Sequence, residues 1–175
     1  MSDSPQASLP RSSFDVATWR GVNPALDVWH DLMDEVIARG SAKPDEAATA
    51  RMIDQLERIL HDDVVFHPPT YWKARRGKPL AMWILQQVGD IIGSNFRYHR
   101  QIVDATGTSV VLEFSAMVDH LPVQGIDLIT FDSSGSDAKL VDFKVMIRPP
   151  EAALKLKEHM DRRVRALRGG ARPKL

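Results

Sequence analysis

Near Phe96 the hydrophobic period of this chain changes from mainly helical to alternating, and that change limits the folds open to it more than any other feature. Before Phe96 most apolar residues recur at helical spacing; from it on, through four segments, they alternate. In "NPALDVWHDLMDEVIARG", residues 23–40, Leu26, Trp29, Leu32 or Met33, and Val36 or Ile37 make one stripe. Asn23 with Pro24 predicts a cap and first turn, and Gly40 predicts the stop. "SAKPDEAATARMIDQLERIL" reads as a second helix, with Met52, Ile53, Leu56, Ile59 and Leu60 facing inward, and "LAMWILQQVGDIIG" as a third. Between them Val64, Val65 and Phe66 read as a short strand. From Phe96 on, "FRYHRQIVDATG", "TSVVLEFSAMVDH", "VQGIDLITFDSSG" and "AKLVDFKVMIRP" read as four strands divided by turn signals, the last three as an antiparallel meander. "PPEAALKLKEHMDRRVRALRG" closes the chain as a helix. Helices segregated from a mostly antiparallel sheet make an α+β fold.

With 175 residues the chain is expected to form one domain, spanning 14–168, between a Ser/Pro-rich disordered tail at 1–13 and a basic tail at 169–175. Lys+Arg and Asp+Glu are both 23, which argues against broad electrostatic capture of nucleic acid or membrane. There is no cysteine, so disulfides, thiolate nucleophiles and Cys-ligated metals are excluded. No secretion signal and no membrane-length apolar run is visible, and a cytoplasmic protein is expected. Phosphate-binding glycine loops, a nucleophile elbow and the HExxH zinc motif are missing, which leaves nucleotide chemistry and serine-type hydrolysis without support. His30 with Asp34, and His61 with Asp62 and Asp63, lack the ligand density of a metal site; no metal and no cofactor are expected. In β-type "VQGIDLITFD" both faces are apolar, with Val123, Ile129 and Phe131 on one and Ile126 and Leu128 on the other. A strand with one dry face alternates cleanly. Two apolar faces point to a partner subunit, and hence to a homodimer.

Taken in order, "HDDVVFHPP", "GKPL", "VVLEFSA", "VQGIDLITFDSSG" and "KVMIRP" resemble the nuclear-transport-factor-2-like superfamily, its SnoaL-like branch most closely. The similarity runs from about Asn23 to about Leu154. It implies a cone, in which a strongly curved sheet wraps the N-terminal helices around a pocket open at one end. Members include ketosteroid isomerase, scytalone dehydratase, limonene epoxide hydrolase, polyketide cyclases and non-catalytic binding or dimerisation domains, so fold alone names no function.

The resemblance also implies roles. "HPPTYW" becomes a lip over the pocket mouth, stiffened by Pro68 and Pro69. His67 stands where ketosteroid isomerase has its general base, an aspartate before proline, and an imidazole can move a proton near neutral pH. Asp127 stands where that enzyme has an aspartic acid kept neutral by apolar surroundings, donating a hydrogen bond to the developing oxyanion. The catalytic tyrosine of its first helix has no counterpart, the nearest positions being Trp29 and His30, while Tyr71, Tyr98 and Trp72 are candidate donors. Trp83, Phe114, Phe143 and Ile147 are expected in the cavity wall. The expectation is cofactor-free acid–base chemistry on a small hydrophobic molecule, of isomerase, dehydratase, cyclase or epoxide hydrolase type. The alternative is a non-catalytic ligand-binding or dimerisation domain. A packed histidine at a strand end and a structural ion pair are the plain readings of His67 and Asp127.

Overall fold

The computed structural model describes residues 20–40, 42–92 and 95–169. The tails expected at 1–13 and 169–175 lie outside the described residues, apart from Gly169, which ends the last helix. The elements are α1 (Pro24–Arg39), α2 (Glu46–Ile59), β1 (Leu60–His67), β2 (Arg75–Arg76), α3 (Lys78–Ile92), β3 (Arg97–Val103), β4 (Ser109–Val118), β5 (Leu121–Phe131), β6 (Leu140–Arg148) and α4 (Pro150–Gly169).

Helix α1 starts where Asn23 accepts hydrogen bonds from the backbone N–H groups of Ala25 and Leu26 and ends at Gly40, whose φ of 62° suits glycine. Asn23 is fully buried, and its amide also donates to the carbonyls of Gly107 and Ser133, 2.9 and 3.1 Å away. The cap therefore pins the start of α1 to the β3–β4 and β5–β6 turns. Asp45 caps α2, whose inner stripe is Met52, Leu56 and Ile59. Ile53, expected inward, is 40% exposed. One residue along a helix is a 100° turn, which carries it off that stripe. Leu60 is buried as expected, but as the first residue of β1.

The sheet is six-stranded in the order β2-β1-β6-β5-β4-β3, curved and not closed, and with four helices makes the α+β cone. Strands β3 to β6 run antiparallel, and β1 joins β6 in parallel with Phe66 beside Phe143. Two-residue β2 carries no hydrophobic pattern and was invisible in the sequence. Leu112, Phe114, Ala116 and Val118 of β4 and Val123, Ile129 and Phe131 of β5 point inward and are buried under α1, α2, α3 and α4. Fully burying a side chain of this kind contributes roughly 1.5–3 kcal/mol. Ile126, Leu128 and Met146 lie on the other face. No helix among the described residues is long and apolar enough to cross a membrane.

Candidate functional site

A cavity of about 90 Å³ lies between the inner face of the sheet and the helices. Its wall comes from α1 (Trp29, Leu32, Val36), α2 (Met52, Leu56), α3 (Leu85, Val88, Ile92), β1 (Phe66) and the inner rows of β3 to β6. Among the described residues lining it, only Trp29, Tyr98 and Asp127 carry a side-chain nitrogen or oxygen. These three form one chain. Trp29 Nε1 donates to the Tyr98 hydroxyl at 3.0 Å, and that hydroxyl donates to Asp127 Oδ2 at 2.8 Å.

Local folding explains how they meet. Asp127 sits mid-strand in β5, opposite Leu112, on the inward parity shared by Val123 and Ile129. A bulge in β3 between Tyr98 and Arg100 shifts the register, so that Tyr98 and Gln101 both face inward although three residues apart. Bulges re-aim side chains in this way. The Tyr98 ring is further held by an edge-on contact with Phe96, centroids 4.8 Å apart, and Trp29 packs edge-on against Phe143 at 5.1 Å.

Burial penalises the charged form of Asp127 and pushes its pKa up to about 7, against a smaller downward pull from the Tyr98 hydrogen bond. Tyr98 keeps partial exposure along its ring while its hydroxyl is enclosed; burial, then the Asp127 charge, hold it well above the usual phenol range. Near neutral pH the cavity thus carries a carboxyl poised between its two forms and a phenol that stays protonated. No cation pairs with Asp127 among the described residues, so the plain reading of a structural ion pair does not describe it.

The other assigned residues divide. Tyr98, Phe114, Phe143 and Ile147 line the cavity with Asp127. His67 does not, which corrects the expected convergence of His67 and Asp127. Phe66 is the inward residue at the end of β1, so the next side chain points to the outer face. There His67 Nε2 lies 2.8 Å from Asp142 Oδ2 of β6. Tyr71 and Trp72 do not hang into the cavity either. The Tyr71 hydroxyl is drawn away to Asp161 of α4, with Lys157 over its ring, and Trp72 is fully exposed. Pro69 is the lip residue that does reach the cavity. Trp83 packs against the larger core cluster and is not in the wall, because its place on α3 is turned from the face carrying Leu85, Val88 and Ile92. His30, next to Trp29, is buried instead against Gln101, its Nε2 2.6 Å from Oε1, and burial lowers its pKa.

One feature of the candidate site escaped the sequence. The Trp29–Tyr98–Asp127 chain depends on the β3 bulge, and no glycine or proline in "FRYHRQIV" marks it. The outward parity of His67 was legible, since Val64 and Phe66 share the apolar face and His67 follows one step later. Among the described residues no group of three or more His, Cys, Asp or Glu is arranged to hold a metal ion.

A curved, open six-stranded sheet packed on helices around an interior cavity defines the α+β cone class. A steroid delta-isomerase from Pseudomonas aeruginosa is 36% identical in sequence, with a TM-score of 0.66, over 93% of this chain and 99% of that one. A protein conserved in bacteria with a cystatin-like fold, from Silicibacter pomeroyi DSS-3, is 28% identical over 84% of this chain and 89% of its own, with a TM-score of 0.67. A de novo designed protein with a curved β-sheet shares the fold at 11% identity and a TM-score of 0.50, over 75% of this chain and 93% of that one. No family model and no curated protein matches the sequence. The chain belongs to the nuclear-transport-factor-2-like superfamily, with that steroid delta-isomerase.

Proposed function

We propose that this protein binds a small, largely apolar molecule in the cavity, gripping one oxygen of it with the Asp127 carboxyl. The observation that supports this reading is a buried carboxyl with a pKa of about 7, held by Tyr98 in an otherwise apolar enclosure. A buried ionisable group without a cation is costly to keep, and such groups cluster at functional sites. In its protonated form Asp127 donates to a carbonyl, hydroxyl or epoxide oxygen, while Trp29 and Tyr98 fix its orientation. A donor in such a dry site polarises the bonded oxygen far more than it does in water.

Proton-moving catalysis is the second reading, favoured by the 36% identity to a steroid delta-isomerase. On this reading Asp127 acts by itself as the acid, or in its ionised form as the base, because His67 faces the other side of the sheet. The family range of isomerase, dehydratase, cyclase and epoxide hydrolase stays open, with no cofactor required for any of them. We further propose that a second copy of the chain covers the outer face of the sheet, where Ile102, Ile126, Leu128 and Met146 lie.

The test is calorimetric titration with phenyl ketones and aryl epoxides of graded size, followed by product analysis of each mixture. A ligand held by protonated Asp127 loses affinity as pH rises above about 7, roughly tenfold per unit once the carboxyl is ionised. Asp127→Leu should abolish both the binding and its pH dependence. Binding that is indifferent to this substitution and to pH would remove the reading; turnover lost in Asp127→Asn with binding kept would select the catalytic form.

A further inference from the structure

The two oxygens of Asp127 have different surroundings. Oδ2 accepts from the Tyr98 hydroxyl at 2.8 Å. Oδ1 makes no hydrogen bond among the described residues. The side-chain atoms enclosed without a partner there are Arg39 Nε, Gln55 Oε1 and Gln101 Nε2. Asp127 Oδ1 is not one of them, so it keeps accessible surface, and Asp127 lines the cavity. Where the proton of the neutral carboxyl sits therefore decides what the cavity offers a guest. On Oδ1 it makes the wall a donor. On Oδ2 it is turned toward Tyr98, and the wall is left with an acceptor.

Trp29 decides between these through Tyr98. An indole N–H only donates, and Trp29 Nε1 donates to the Tyr98 oxygen at 3.0 Å. The single phenol hydrogen must then point away from that N–H, toward Asp127 Oδ2. Oδ2 is thus an acceptor and carries no proton of its own. In the reversed chain Oδ2–H would donate to Tyr98, and the phenol hydrogen would swing onto the indole N–H. Two donors would face each other in an apolar enclosure, where an unmade hydrogen bond is costly. His30 gives no way out: it meets the Tyr98 ring edge-on at 5.8 Å, but its Nε2 lies on Gln101, 2.6 Å away. Trp29 itself is held in place, buried and edge-on to Phe143.

We propose that Trp29 is a positioning residue, whose N–H orients the Tyr98 hydroxyl and thereby keeps the Asp127 proton on Oδ1, open to the cavity. This deepens the reading of Asp127 as the group that grips a ligand oxygen, and rests on it for what the proton meets. It also narrows the ligand. A ketone or epoxide oxygen accepts from Oδ1–H and has nothing left to pair. An alcohol that accepts the same bond carries a hydrogen for which the apolar wall has no acceptor. The site therefore prefers the ketone while Asp127 is protonated.

The experiment reads the carboxyl directly, by carbon-13 NMR titration of protein labelled in its aspartates. Trp29→3-benzothienylalanine exchanges the indole N–H for sulfur and keeps the ring shape, so the contact with Phe143 is retained. Losing the N–H weakens Tyr98 as a donor and releases the reversed chain, and both favour the neutral carboxyl. The Asp127 pKa should rise by about half a unit, roughly threefold in proton affinity. Tyr98→Phe should raise it further, because the Tyr98 hydrogen bond holds it down. Adding the Trp29 replacement to Tyr98→Phe should change nothing more. No shift in the Trp29 variant, or the same shift with and without Tyr98, would overturn the proposal.

Cyclopentanone and cyclopentanol, small enough for a cavity of about 90 Å³, supply a second readout. At pH 5.5 the ketone should bind about tenfold tighter than the alcohol, and the Trp29 variant should reduce that margin about threefold. A margin that ignores the variant would overturn the placement of the proton and leave the ligand reading standing. The expected pKa pattern in a protein that binds neither compound would sustain the placement and remove the ligand reading.

Discussion

Asp127 gives the clearest link between one side chain and a measurable property of the whole molecule. Its pKa is about 7 in the folded chain and near 3.8 when exposed, so between those values the folded state binds the proton that the unfolded state has lost. Stability therefore falls as pH rises from about 4 to about 7 and is level above that. The three-unit gap corresponds to roughly 4 kcal/mol at most. Asp127→Asn keeps an acceptor for Tyr98 and carries no charge. The variant should equal or exceed the wild type in stability at pH 8, with the difference shrinking toward pH 4.5. Urea unfolding at both pH values checks it; an asparagine variant several kcal/mol less stable at pH 8 would mean that the carboxylate is a structural anchor. That this residue sits in an unusual place was legible, because a lone carboxylate in "GIDLITF" needs an explanation. Its partner was not, because the sequence does not show the backbone shift that brings Tyr98 round.

Strand parity, at the scale of elements, decides most of the placements. It puts Phe66, Asp127 and Phe143 inside and His67, Glu113 and Met146 outside. The helix and strand assignments could be read because their periods differ, and caps such as Asn23 and Asp45 marked the starts. The expectation that His67 enters the cavity came from matching it to a relative's residue beside proline without counting the alternation along β1. The β4–β5 pair supports a sharper expectation. Gly125 stands opposite Phe114, and a Cβ there would meet Phe114 Cζ at 2.4 Å and the Met146 carbonyl oxygen at 2.6 Å. The backbone oxygen cannot swing away as a side-chain end can. Gly125→Ala should cost about 1–3 kcal/mol in urea unfolding and displace the Phe114 ring from the cavity wall. An unchanged midpoint would show that the strands relax apart instead.

On the scale of the whole molecule, the outer face of the sheet carries more apolar surface than a solvated sheet needs. Ile102 is 57% exposed and Met146 52%, with Ile126 and Leu128 half-buried between polar pairs such as Arg100 with Glu113. If a second copy covers this face, as we propose, Met146→Glu together with Ile126→Glu should convert dimer to monomer in sedimentation velocity without changing the far-UV circular dichroism. A wild type that sediments as a monomer at tens of micromolar would remove the proposal. The doubled apolar pattern of β5 was readable in the sequence, whereas the parallel pairing of β1 with β6 was not, since nothing local in either strand encodes so distant a partner.

That distant pairing governs how the chain can be made. Leu60 of β1 lies beside Leu140 of β6, and Asn23 waits for the carbonyls of Gly107 and Ser133. At ordinary rates of synthesis, the 80 residues from Leu60 to Leu140 take on the order of ten seconds to leave the ribosome. For much of that interval α1 and α2 exist as amphipathic segments without the complete sheet that covers them. The order of the elements thus leaves the apolar faces of the first third of the nascent chain incompletely covered until the last strand emerges.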